Sequence, residues 1–479
     1  MATPAPSIVW FRQDLRLSDQ PALRAAVQAG GPVIAVYIHD PESEGAWAAG
    51  GASRWWLHHA LKDLGEQLEA IGGALILRQG PSLKVLEALI QETGAQQVFW
   101  NRRYEPHHIA LDTEIKTVLR NRGLTVESSN GCLLHDPLEI KNLSGQPFQV
   151  FTPFWKNCLK NLKFEKPTAA PKKLLALEKK ISSVALSKLN LLPTIAWDGG
   201  FKKQWQPTRA GAEQRLKPFA KSAVKDYATH RDLPSLDGTS QLSTFLHFGQ
   251  ISPREIIAAI EETGKAEQTG AVKYIAEIGW REFAYHLLYH FPHTPEQPLR
   301  AEFAHFPWSP DKKLLKAWQK GRTGYPIVDA GMRQLWHTGW QHNRVRMIAA
   351  SVLVKHFLQP WQAGAAWFWD TLVDADLAAN TLGWQWAGGC GADAAPYFRV
   401  FNPVLQGKKF DPEGEYVRRW VPELKNLPSE WIHEPWNAPA EVLAAAGITL
   451  DHTYPRPLVG LIEGRDRALE AFEKLRGKK

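Results

Sequence analysis

The segment 374–386, Asp-Ala-Asp-Leu-Ala-Ala-Asn-Thr-Leu-Gly-Trp-Gln-Trp, spaces Asp376, Asn380 and Trp384 four residues apart. On a helix these three share a face that carries a carboxylate, a neutral amide and an indole. A capped helix with a core tryptophan has the same spacing. A second segment, 277–283, puts Glu277, Trp280 and Arg281 at i, i+3 and i+4. A solvated Glu–Arg pair is the commoner meaning of that spacing. The third, His342-Asn-Arg-Val-Arg-Met347, again mixes polar and soft apolar groups within an apolar helical pattern. Polar groups that interrupt three core-like helices need partners, and a bound polar cofactor supplies them.

Two kinds of element must position these residues. Continuous apolar runs at 7–11, 32–38, 74–77, 97–100 and 124–127 alternate with helical stretches at 21–29, 53–71, 83–93 and 109–122. This pattern predicts an α/β domain over residues 1–133, a doubly wound, five-stranded parallel sheet. Ligands in such sheets sit beyond the carboxyl ends of the strands. No G-x-G-x-x-G follows a strand and no G-x-x-x-x-G-K-[ST] occurs, which argues against a standard dinucleotide or P-loop site. Residues 134–206 lose the pattern, turn basic at 172–188 and gain Pro and Gly, so they read as a long connector draped over the surface. From 207 to 479 the pattern predicts an all-α domain, with helices at 251–263, 270–291, 325–337, 340–357 and 361–374. Ser252 and Glu255 open the first of these with a capping box.

Composition narrows the class. The 479 residues carry a formal net charge of +8, a weak pointer to a polyanionic partner. Three cysteines, 132, 158 and 390, are too scattered for a disulfide framework or thiolate metal site, so a reducing cytoplasm and no metal are expected. Neither a secretory leader nor a membrane-spanning apolar stretch is found. The 21 tryptophans against three methionines suggest stacking on flat ligands or electron transfer beside ordinary core packing.

The three segments do not stand alone. With Trp10-Phe-Arg-Gln-Asp-Leu-Arg-Leu-Ser18, Thr239-Ser-Gln-Leu-Ser243, Trp318-Gln-Lys-Gly-Arg-Thr-Gly-Tyr-Pro326 and Ala394-Ala-Pro-Tyr-Phe-Arg-Val-Phe-Asn-Pro403, they resemble the photolyase/cryptochrome family. The resemblance runs nearly the whole chain and is nearest to the photolyases that act on cyclobutane pyrimidine dimers, of the folate-using class related to plant cryptochromes.

What the resemblance implies is a folded FAD in the helical domain, active in its reduced anionic form. Tyr227 and the loop Thr239, Ser240, Gln241, Leu242 and Ser243 match the residues that hold its phosphates, with Arg281 on the same side. Gln241 stands where the family often has arginine, which leaves one phosphate contact weaker or supplied elsewhere. Trp340, Arg346, Asp374, Ala375 and Asp376 match the flavin surround, with Arg346–Asp374 expected as a buried ion pair. Asn380 matches the residue beside flavin N5, where plant-type cryptochromes carry Asp. A neutral amide suits an anionic flavin, because a carboxylate there would favour the protonated radical.

Glu277, Asn343 and Met347 match the dimer pocket, and Trp280 and Trp386 its aromatic walls. Arg231, Arg344, Arg399 and Gln406 match contacts to DNA phosphates and sugars. The implied reaction sends an electron from excited reduced FAD to a dimer flipped out of single- or double-stranded DNA; base flipping by photolyases is a known case of the general rule. Trp384, Trp361 and Trp308 match a chain that reduces oxidised FAD. An antenna chromophore is implied on the sheet domain near Glu105, methenyltetrahydrofolate in preference to a deazaflavin, and Trp55-Trp56 fit the folate-using class. A monomer is expected. The alternative is a cryptochrome-type blue-light photoreceptor with the same FAD site.

Overall fold

The computed structural model describes residues 4–161 and 165–477. Strands β1 (Ser7–Phe11), β2 (Val33–His39), β3 (Leu75–Gln79), β4 (Gln97–Asn101) and β5 (Thr125–Ser129) form one parallel sheet in the order β3-β2-β1-β4-β5. Helices cover both faces, so the inner strands are mostly apolar; all five residues of β1 are buried. The chain reverses direction across the sheet between β1 and β4, the place where such folds open a crevice.

The helix Gly51–Ala70 joins the two halves of the molecule. Trp55 and Trp56 are fully buried on it and donate their indole N–H groups to Asp198 Oδ2 at 3.0 Å and to Gln250 Oε1 at 2.8 Å. Their core is shared with Phe245, Phe248 and Trp340 of the helical part. These two rings therefore pack the joint between the halves.

The connector is more structured than its composition predicts. It contains the helix Phe151–Asn161, whose Phe154, Trp155 and Cys158 pack on Phe283 and Leu287 of the long helix Thr269–His290. Further on, Ser183 Oγ accepts from Leu77 N at 2.9 Å and Val184 N donates to Leu77 O at 3.0 Å. The basic stretch lines β3, covers an otherwise open sheet edge and ends in the single 3-10 turn Leu186–Leu189. Residues 162–164 of the connector lie outside the described residues.

Beyond the connector the described chain is helical apart from one isolated bridge, Leu450–Tyr454. The capping box at Ser252 forms as expected, with Glu255 N donating to Ser252 Oγ at 3.1 Å and Ser252 N to Glu255 Oε2 at 2.9 Å. The helix expected over 340–357 starts later, at Asn343, because His342 is its cap and accepts from Arg344 N at 3.2 Å. Its end, Val352–His356, widens into a π turn with every residue buried. Among the described residues no helix is long and apolar enough to cross a membrane.

Candidate active site

Two short helices meet at the site. Asp376 caps Leu377–Ala387 by accepting from Ala379 N at 2.8 Å, so the carboxylate lies at the positive end of the helix dipole. Burial opposes its ionisation, but His247, Arg281 and Tyr285 together outweigh burial and hold its pKa at about 2. Tyr285 donates a short hydrogen bond to it, and His247 Nδ1 lies 3.7 Å away. Neither Tyr285 nor His247 stood out in the sequence, since an aromatic hydroxyl and a lone histidine read as core residues.

One turn on, Asn380 donates from Nδ2 to Ala365 O at 3.1 Å. A backbone carbonyl can only accept, so this bond fixes the amide orientation and leaves Oδ1 as an acceptor.

Asp374 joins the other side. Arg346 Nη2 reaches both its oxygens, at 3.0 and 2.9 Å, and Ser243 Oγ donates to Oδ2 at 2.6 Å. Arg346 is itself fixed by donating from Nε to Gln341 O at 2.7 Å. The loop before Ser243 turns through Gln241 at φ 51 and Leu242 at φ −86, ψ −3. Adjacent left- and right-handed residues aim successive N–H groups the same way, an arrangement that binds anions. The Gln241 side chain accepts from Arg215 Nη1 at 2.9 Å, so a cation stands beside the loop although the loop itself has none. Thr244 Oγ1 and Gln341 Oε1 are buried without a partner. Nest, hydroxyls, free amide oxygen and orphaned polar atoms suit a ligand with a diphosphate and a polar flat ring, so the residues present fit FAD.

The second segment behaves differently from a simple i, i+4 pair. Glu277 pairs with Arg231, 46 residues away, not with Arg281. Arg281 turns towards the sheet domain and donates to Cys132 O at 2.7 Å while staying close enough to Asp376 to help keep it ionised. Arg231 lies 3.9 Å from Asp232, which takes a 2.8 Å ion pair from Arg344. Arg344 also reaches Met347 Sδ at 3.8 Å. Two carboxylates and two guanidiniums thus balance at this mouth. Asn343 is exposed beside them, whereas Arg399 is exposed and Gln406 half-buried further along the chain.

Trp280 stacks on Phe151 of the connector helix, with centroids 3.8 Å apart and planes within 8°. One ring face is therefore already covered by a residue the sequence reading passed over. Trp386 contacts Phe401 edge-on at 6.3 Å. Trp384 and Trp361 are each 2% exposed and lie in one apolar cluster, with Trp308 partly buried against it. Trp384 also meets Phe368 at 5.0 Å and Trp318 at 6.0 Å.

Glu105 lies in the crevice between β1 and β4, but its carboxylate is taken by Arg103 at 2.7 and 3.2 Å. Nearby, Glu44, His107 and His108 bring ligand atoms within 4.8 Å of one another. Arg103 also sits 3.2 Å from Glu44 Oε1 and places a competing cation on that cluster.

Known proteins share this arrangement. Residues 7–172 match the family described as DNA photolyase, and residues 274–474 the one described as FAD binding domain of DNA photolyase. A deoxyribodipyrimidine photo-lyase of Agrobacterium fabrum is 49% identical over 98% of this chain and 98% of its own. Cryptochrome-1 of Arabidopsis thaliana is 41% identical over 98% of this chain and 70% of its own. The crystal structure of a bacterial class III photolyase from Agrobacterium tumefaciens superposes with a TM-score of 0.96 at 48% identity, covering 100% of this chain and 99% of that one. A switch-point sheet, a nest facing an Arg–Asp pair and end-to-end likeness at this identity have one reading: the chain belongs to the photolyase/cryptochrome family.

Proposed function

We propose that this protein is a deoxyribodipyrimidine photo-lyase that splits cyclobutane pyrimidine dimers in DNA under blue light. The observation that carries the reading against a photoreceptor is Asn380. Its amide is neutral at any pH and orients Oδ1 by the bond to Ala365 O, where plant-type receptors resemble this chain but carry a carboxylate.

FAD, reduced and bound in the helical domain, supplies the light-driven electron. The residues then divide the remaining work. The nest at Gln241–Leu242, with Thr239, Ser240 and Tyr227, holds the diphosphate, and Arg215 provides the positive field that Gln241 lacks. Arg346 and Ser243 lock Asp374, while Trp340 and Ala375 close the flavin surround. Glu277 leaves Arg231 and, as the carboxylic acid, donates a hydrogen bond to a dimer carbonyl, while the freed guanidinium turns to a DNA phosphate. Asn343 and Met347 line the same pocket, with Trp280 and Trp386 as its walls. Base–aromatic stacking of about 1–3 kcal/mol per base offsets much of the few kcal/mol that flipping costs. Arg344, Arg399 and Gln406 contact the strand without reading its sequence. Trp384, Trp361 and Trp308 pass electrons inward from the surface during photoreduction.

The antenna is methenyltetrahydrofolate in this reading, with a deazaflavin as the other chromophore the family resemblance allows. Glu105 serves it only if Arg103 swings away, so a seat elsewhere on the sheet domain fits the geometry better. The protein acts as a cytoplasmic monomer.

The deciding experiment follows a dimer-containing oligonucleotide with reduced, FAD-loaded protein under blue light, beside a dark control. Light-dependent recovery of the two pyrimidines is expected. Bound FAD and intact photoreduction without recovery would transfer the protein to the photoreceptors.

A further inference from the structure

Lys355 is 2% exposed, and among the described residues no carboxylate comes within 4.0 Å of its ammonium. A buried ammonium without a counter-ion is costly, and methionine would fill the same space without that cost. Burial, with a smaller contribution from the charge of Arg399, lowers its pKa to about 8. The group nonetheless has a defined task. Its Nζ donates to Arg399 O at 2.9 Å and lies 5.4 Å from the centroid of the Tyr397 ring. Tyr397 returns a bond to the same π turn, donating from its hydroxyl to Val354 O at 3.3 Å. Lys355 lies within this fully buried π turn, and π turns are enriched at functional sites.

The segment held in this way has little structure of its own. Between the helices Leu377–Ala387 and Pro403–Phe410 it forms no regular element, and near its tip it closes only two short turns, Arg399 N to Pro396 O and Val400 N to Phe398 O. Its outer side presents Arg399 and Phe398, the latter 60% exposed. It also connects the helix of Asn380, Trp384 and Trp386 to the helix of Gln406.

We propose that Lys355 is a positioning residue for DNA: by holding the Arg399 carbonyl it fixes the segment that presents the Arg399 side chain to the strand. This rests on the repair reading above and adds to it a residue that never touches the substrate. An anchor acting only through Arg399 should lose its effect once that side chain is gone.

The test is a double-mutant cycle on FAD-loaded protein, reading Kd for a dimer-containing duplex at several salt concentrations. Lys355→Met should weaken binding roughly tenfold and flatten the salt slope by about one unit, the signature of one lost phosphate contact. FAD content, photoreduction and repair per bound complex should not change. In an Arg399→Ala background, Lys355→Met should add almost nothing. If Lys355→Met lowers FAD content, Lys355→Gln, which keeps a donor, should restore both content and binding. Unchanged affinity in Lys355→Met, or an equal further loss in the Arg399→Ala background, overturns the assignment. Wild-type protein with no preference for the lesion would instead sink the repair reading and leave the Lys355–Arg399 coupling to be read on undamaged DNA.

Discussion

Gly364 has no room for a side chain, and the atoms it would strike belong to Trp384. A Cβ at Gly364 would lie 2.0, 2.3 and 2.6 Å from three ring carbons of that indole. Ordinary contact begins near 3.4 Å, so the ring must retreat by more than 1 Å. It cannot do so freely, because Phe368 and Trp318 stand against it at 5.0 and 6.0 Å and the ring is 2% exposed. Overpacking of this kind costs about 1–3 kcal/mol. Replacing glycine by alanine in a helix returns about 1 kcal/mol of backbone entropy, so the clash wins by up to ~2 kcal/mol. Gly364→Ala should therefore lower Tm by a few degrees, about 2–4 °C per kcal/mol in a domain of this class. It should also slow photoreduction of oxidised FAD while repair by chemically reduced protein continues. Trp384→Phe should block photoreduction in the same selective way. Gly383→Ala is the control, since its Cβ meets nothing within 4 Å, and it should leave Tm equal or higher. If Gly364→Ala matches Gly383→Ala in both stability and photoreduction, the tight seating of Trp384 is wrong.

Three further outcomes are expected. Glu277→Ala should keep FAD but lower the repair yield per absorbed photon, measured on a dimer oligonucleotide; an unchanged yield removes Glu277 from the chemistry. Asp374→Asn leaves Arg346 without its ion-pair partner and should cost about 1–3 kcal/mol, seen as FAD lost on gel filtration and a lower Tm. Glu282 is pushed up to about 7 by burial, against the opposing pull of Arg281 and the N–H groups of Leu134 and His135. Its folded pKa exceeds the unfolded value, so stability is highest below about pH 4.5 for this group and falls as pH rises towards 7. Glu282→Gln keeps the two N–H contacts and should be more stable than wild type at pH 8, by up to ~3 kcal/mol, with the difference vanishing near pH 4; urea unfolding at both pH values measures it.

The sheet and the helical half were legible because their cues are local: unbroken apolar runs for buried parallel strands, and caps such as Ser252–Glu255 for helices. The connector helix Phe151–Asn161 was overlooked although Phe151, Phe154, Trp155, Cys158 and Leu159 follow the i, i+3, i+4, i+7, i+8 pattern, because the flanking chain is irregular and the face it buries packs on a helix more than a hundred residues away. The same distinction runs through the site. Asp376 as a helix cap was legible from spacing, and Arg346–Asp374 from the family resemblance. The choice of Glu277 between Arg281, four residues away, and Arg231, 46 residues away, could not be read from one helix. Two arginines compete for that carboxylate, and the sheet domain decides the outcome by offering Arg281 the Cys132 carbonyl. The consequence is functional. Under the proposed repair reading, the Glu277–Arg231 pair is the contact that must open for Glu277 to meet the dimer and Arg231 to meet a phosphate.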